Sequence, residues 1–168
     1  SGVALMEGGY PFHPKLIVIG GAERVSIAIG SGNLTISGWH KNAELWTFAH
    51  ADENQTPRLI GDVARFLNQL IDGRIQLSST VVPAVSQIAE LLTRFEATDD
   101  GPTAVSTLDG PIINYLPEGP VDEFRVYSPF FDRRLNALEA LRERLLPEHL
   151  EIRLQRTTDV DGALLNPW

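Results

Sequence analysis

An imidazole and an ammonium stand two positions apart at His13 and Lys15, and a Gly30-Ser31-Gly32-Asn33 run follows at a distance that one hairpin spans. Residues 16–19 and 25–29 are apolar, β-branched runs separated by Gly20, Gly21, Ala22 and Glu23, so they read as two strands of a hairpin. Side chains at i and i+2 of a strand share a face, so His13 and Lys15 at the mouth of the first strand point the same way. The loop leaving the second strand returns Ser31 and Asn33 to that end. Imidazole titrates near neutral pH and serves as nucleophile or base. An ammonium, a carboxamide and a glycine-rich backbone are donors for negative charge. Singly, a His before a Pro is an ordinary loop residue and a Gly-Ser-Gly-Asn run an ordinary turn. Their joint spacing is what points to chemistry on an anionic group.

The constellation His13-Pro14-Lys15 followed by Gly30-Ser31-Gly32-Asn33 resembles the phospholipase D superfamily, whose signature is His-x-Lys and then, after a strand, Gly-Ser-x-Asn. The continuation through Leu34, Thr35, Gly38, Asn42 and Glu44 looks most like the nuclease-type members, and Trp39-His40-Lys41 with Trp46 is similar to tyrosyl-DNA phosphodiesterase. One position departs: the family's usual aspartate, five residues after the lysine, is Gly20. Several active branches of the superfamily lack that aspartate as well.

The resemblance implies a metal-independent phosphodiesterase, a hydrolase of nuclease or endonuclease type cleaving a diester of DNA or another nucleic acid. His13 would attack phosphorus and carry it as a phosphohistidine, because a neutral imidazole is not repelled by an anionic diester. Lys15 and Asn33 would neutralise the charge that builds on the non-bridging oxygens. The Ser31 hydroxyl and the backbone of Gly30 and Gly32 would add donors, the glycines letting the chain approach the phosphate. Glu44, at the start of the next strand, would accept a hydrogen bond from an imidazole and fix its tautomer, as an aspartate does in a hydrolase triad. No cofactor and no metal ion is implied. Superfamily sites combine two His-x-Lys motifs, from two halves of one chain or from two identical subunits. This chain has one, since His40, His50 and His149 are followed two positions later by Asn42, Asp52 and Glu151. A second half from a longer chain, or a homodimer mate, is the expected partner. Two alternatives stay open: a phospholipid-directed phospholipase or phosphatidyltransferase, and a non-catalytic module that binds phosphate or a partner.

A chain of 168 residues suits one domain or slightly more, and 43% hydrophobic residues suffice for a core. No run approaches the ~18 apolar residues of a membrane span, and the first residues lack the pattern of a signal peptide. The absence of cysteine excludes a disulfide framework or a thiolate metal site and fits a cytoplasmic protein. His40, His50 and His149 share no metal spacing and read as structural or exposed. A net charge of −8 argues against a generally basic nucleic-acid surface, with Lys15, Arg24 and Lys41 the cations near the motif.

The remaining elements follow from periodicity. Residues 1–10 read as a loop, and 44–49 as a third strand rich in aromatic and β-branched residues. A helix is expected over 57–71, with Thr56 capping and Pro57 first, and another over 82–95, both packed on the sheet. Residues 104–108 and 112–116 flank Asp109-Gly110 as a hairpin or a loop. Residues 117–120 connect to a β-α-β pattern: a strand at 124–127, a helix through Leu135, Leu138, Leu141 and Leu145 capped by Asp132, and a strand at 150–155, paired in parallel. The fold class is therefore α/β, a phospholipase D-like mixed sheet flanked by helices. Residues 1–120 would form the C-terminal part of one half and 121–168 the incomplete opening of a second.

Overall fold

The computed structural model describes residues 5–6, 12–98 and 101–154. The chain divides into two compact units, Ser1–Asp109 and Gly110–Trp168.

In the first unit, β1 (Leu5–Met6) pairs antiparallel with β5 (Ile75–Gln76), so a short strand interrupts the segment read as a loop. The rest of residues 1–10 lies outside the described residues. Strands β2 (Leu16–Gly20), β3 (Val25–Gly30) and β4 (Trp46–Ala51) form an antiparallel sheet in which Leu16 faces Ile29 and Gly30 faces Trp46. The hairpin expected from the apolar runs is present, and β4 starts later than the sequence suggests. Alternation sends Val25, Ile27, Ala49 and Ala51 into the core, with Leu16, Val18 and Ile29 packed against it. Ile19 and Phe48, on the opposite face, are exposed.

Helix α1 (Arg58–Gln69) buries Leu59, Ile60, Val63, Ala64 and Leu67, the 3.6-residue stripe that faces the sheet. Full burial of such side chains stabilises by about 1.5–3 kcal/mol each. Its N-cap is Pro57 with no side-chain cap, so Thr56 does not cap as expected; the Thr56 amide instead takes the Thr98 hydroxyl at 2.9 Å. The helix continues as a π turn, Leu70–Arg74, that ends where Gly73 adopts φ +90°, a conformation glycine tolerates without a Cβ clash. Helix α2 (Val82–Leu92) adds Ala89 and Leu92 to the same core and stops short of Phe95.

Of the two readings left open for 104–116, the segment takes the loop and not the hairpin. Asp62, buried on α1, accepts the Ala104 amide and the Arg65 guanidinium, each at 2.9 Å. Asp109 accepts Gln69 Nε2 at 2.8 Å and the Ser106 amide at 3.0 Å. Carboxylates thus satisfy backbone donors that a strand would use, and the chain is held to α1 as a loop. Beyond Pro111, Ile112–Tyr115 winds into a 3₁₀ turn rather than a strand.

In the second unit, β6 (Glu123–Ser128) and β7 (His149–Leu154) pair in parallel across α3 (Asn136–Leu145), the expected β-α-β order. Leu135, Leu138 and Leu145 are its buried side chains. The N-cap position is Leu135; Asp132 acts from further upstream, accepting the Asn136 and Ala137 amides at 2.9 and 3.0 Å. Those bonds hold its carboxyl below the usual range. Gly119 and Val121 donate to the Arg144 and Leu145 carbonyls, so the connector at 117–120 packs with α3. That connector belongs to the second unit, which begins at Gly110. The architecture is mixed α/β, with separate antiparallel and parallel sheets among the described residues instead of one mixed sheet.

Candidate functional site

Pairing between β2 and β3 sets the site. Leu16 faces Ile29, and the Gly30 amide donates to the Lys15 carbonyl at 3.1 Å, so the chain entering β2 lies beside the loop leaving β3. Lys15 Nζ lies against the His13 ring nitrogens, in contact with Nδ1 and 3.0 Å from Nε2, and donates to the His13 carbonyl at 3.1 Å. His13 is exposed and Lys15 half-buried.

His13, Lys15, Asn33, Leu34, Trp39 and Trp46 line one cleft of about 340 Å³. The Gly32 and Asn33 amides have no hydrogen-bond partner among the described residues, whereas the Ser31 amide is held by the Leu45 carbonyl at 3.1 Å. Gly30 and Ser31 thus have their amides committed to the Lys15 and Leu45 carbonyls, and among the described residues of the cleft Lys15, the Asn33 side chain and the Gly32 and Asn33 amides are donors suited to an anion.

Ser31 and Glu44 turn to each other. The Ser31 hydroxyl donates to Glu44 Oε2 at 2.6 Å and accepts the Leu45 amide at 3.1 Å, while Asn42 Nδ2 donates to Glu44 Oε1 at 3.1 Å. A hydroxyl has one proton, so the Ser31 proton spent on Glu44 is not aimed at a phosphate. No imidazole among the described residues bonds to Glu44, which precedes β4 and braces the loop.

The Ser31 hydroxyl, then Asn42, and less strongly the charge of Lys15, hold the Glu44 carboxyl below its ordinary range. A depressed carboxyl supports the folded loop above its unfolded value and loses that support as pH falls through the lowered one. Ser31→Ala should therefore raise the Glu44 midpoint in a carboxyl-carbon NMR titration. An unchanged midpoint would mean that the hydroxyl is not the group responsible.

The glycines serve packing first. A Cβ on Gly30 would run into the Trp46 indole, one on Gly32 would stand 3.0 Å from it and 2.7 Å from the Gly38 carbonyl, and one on Gly38 would strike the Asn33 backbone. Gly38 lies on the π turn Ser37–Lys41, which also carries Trp39, His40 and Lys41. The Trp39 and Trp46 rings meet at 5.8 Å with planes tilted by 52°. The tryptophans stand outside the site residues that the motif implies; Gly30 and Gly32, which make room for the Trp46 indole, were the available signal. Gly20 ends β2, where a Cβ would stand 3.0 Å from side-chain atoms of both Leu91 and Val25. A larger side chain there would press on α2.

Among the described residues no cluster of His, Cys, Asp or Glu is arranged to hold a metal ion, and no helix is long and apolar enough to cross a membrane. No family model matches the chain, and no curated protein or solved structure matches it either.

Proposed function

We propose that the chain carries one half of a metal-independent phosphodiesterase site of phospholipase D type, with a nucleic-acid diester as substrate and His13 as nucleophile. The observation that supports this most is that His13, Lys15 and Asn33 line a single cleft, with the lysine ammonium on the imidazole. An incoming phosphate oxygen is a stronger acceptor for an ammonium than a ring nitrogen is. It draws Lys15 off the imidazole and frees a ring lone pair to attack phosphorus. The P–N bond forms as the P–O bond to the leaving group breaks; water then cleaves the P–N bond and returns the imidazole. Asn33 and the loop amides stabilise the equatorial oxygens in both steps.

A phospholipid diester is the second reading, favoured by exposed Leu34 and Ile36 on the loop that carries Asn33. Two esters with the same nitrophenolate leaving group separate them: the p-nitrophenyl ester of thymidine monophosphate and p-nitrophenylphosphorylcholine. In EDTA the thymidine ester should turn over and the choline ester should not. The reverse preference would assign the site to lipid. Loss of turnover in EDTA with recovery on added magnesium would replace the mechanism with a metal-assisted one.

A further inference from the structure

We infer that Trp39 and Trp46 form a stacking subsite for one nucleobase, joined to the phosphate that His13 and Lys15 engage. The inference rests on the phosphodiesterase reading and names what lies beside the phosphorus.

Both indoles line the same cleft as His13, Lys15 and Asn33. Trp39 is 54% exposed, yet its ring packs against that of Trp46 at 5.8 Å, on a backbone anchored where its amide donates to the Thr35 carbonyl at 3.1 Å and the Gly38 amide takes the Thr35 hydroxyl at 3.1 Å. A large aromatic fixed at the surface is a pre-organised platform, because little side-chain freedom is left to lose when a ligand covers it. Trp46 is set from the other side, over the space that Gly30 and Gly32 leave open. At a tilt of 52° the rings do not cover each other as a parallel stack would, so ring face remains for a planar ligand.

Size and charge narrow the ligand. A cleft of about 340 Å³ is at the small end for ligand sites and suits one nucleotide, not a duplex. A net charge of −8 provides no long cationic track, so affinity for a polyanion must come from a local contact. Base stacking on an aromatic ring supplies one that is neutral and indifferent to sequence. A quaternary ammonium would also lie on an indole. The Lys15 ammonium on the same cleft opposes it, whereas it attracts a nucleotide's phosphate.

The test uses the thymidine ester beside methyl p-nitrophenyl phosphate, which has the same leaving group and no base, on the unaltered chain and on Trp39→Ala, Trp39→Phe and His13→Asn. Trp39→Ala should raise KM for the thymidine ester about tenfold more than for the methyl ester, within the roughly five- to hundredfold range of base–aromatic stacking. Trp39→Phe should recover most of that preference, and far-UV circular dichroism checks that each variant is folded. Binding is read without turnover by the quenching of indole fluorescence in His13→Asn on adding thymidine 5′-monophosphate. Phosphocholine should quench at least tenfold less effectively. Equal KM changes for the two esters, or equal quenching by phosphocholine, would overturn the stacking subsite while leaving the phosphodiesterase reading intact. Retained turnover in His13→Asn would instead remove the phosphodiesterase reading. If neither ester is cleaved, the quenching comparison decides the subsite by itself.

Discussion

His13→Asn should lower turnover of the thymidine p-nitrophenyl ester by roughly a thousandfold or more, the scale seen when a covalent nucleophile is removed. Asparagine is close in size, and its side-chain oxygen gives Lys15 an acceptor in place of the ring nitrogen it contacts now. His13 is exposed, so the change removes no core packing. What is lost is the one group among the described residues of the cleft able to attack phosphorus and then leave it. Lys15 is the other titratable side chain among the described residues lining the cleft, and an ammonium has no lone pair to offer. The matching positive result is a covalent adduct: with substrate labelled at phosphorus, the chain should retain label in a base-stable, acid-labile linkage, and His13→Asn should retain none. Full turnover in that variant, or label on another residue, would show that the nucleophile lies elsewhere.

Local periodicity made much of the scaffold legible. The β2–β3 hairpin follows from two β-branched runs, and the buried face of α1 from Leu59, Ile60, Val63 and Leu67 at helical spacing. The parallel β6–α3–β7 unit was equally readable, because each element carries its own period. What failed to show depended on partners far along the chain. Asp109-Gly110 has hairpin chemistry, but Asp109 bonds Gln69 and Ser106, and Asp62 takes the Ala104 amide, so the segment becomes a loop. The candidate site divides the same way. His13 and Lys15 share a side because strand geometry requires it, while the Ser31–Glu44 bond bridges 13 positions and appears only in the folded chain. The aromatic platform was hidden in absences: Gly30 and Gly32 matter for the Cβ atoms they lack, which a motif reading assigns to phosphate approach and the packing assigns to Trp46.

Leaving-group chemistry should separate substrates by a far wider margin than base identity. Nitrophenolate is a weak base and departs without a proton, but the alkoxide of an ordinary nucleic-acid diester is a strong base that needs a donor on the far side of phosphorus. Among the described residues that line the cleft, the titratable side chains are His13 and Lys15. The first is committed to attack, and the second is bound to a non-bridging oxygen. A dilute monomer should therefore cleave the thymidine nitrophenyl ester while cleaving a thymidine dinucleotide more slowly by at least the roughly hundred- to ten-thousandfold that a positioned general acid contributes. A second imidazole placed across the phosphate would remove that deficit. An isologous pairing of two copies supplies one, each chain's His13 acting as acid for the other's attack. Specific activity on the dinucleotide should then rise with protein concentration, in step with dimer measured by sedimentation, while specific activity on the nitrophenyl ester stays constant. Cleavage of the dinucleotide by a strictly monomeric preparation at a rate within tenfold of the nitrophenyl ester would mean that this chain holds its own general acid, and that one imidazole is enough.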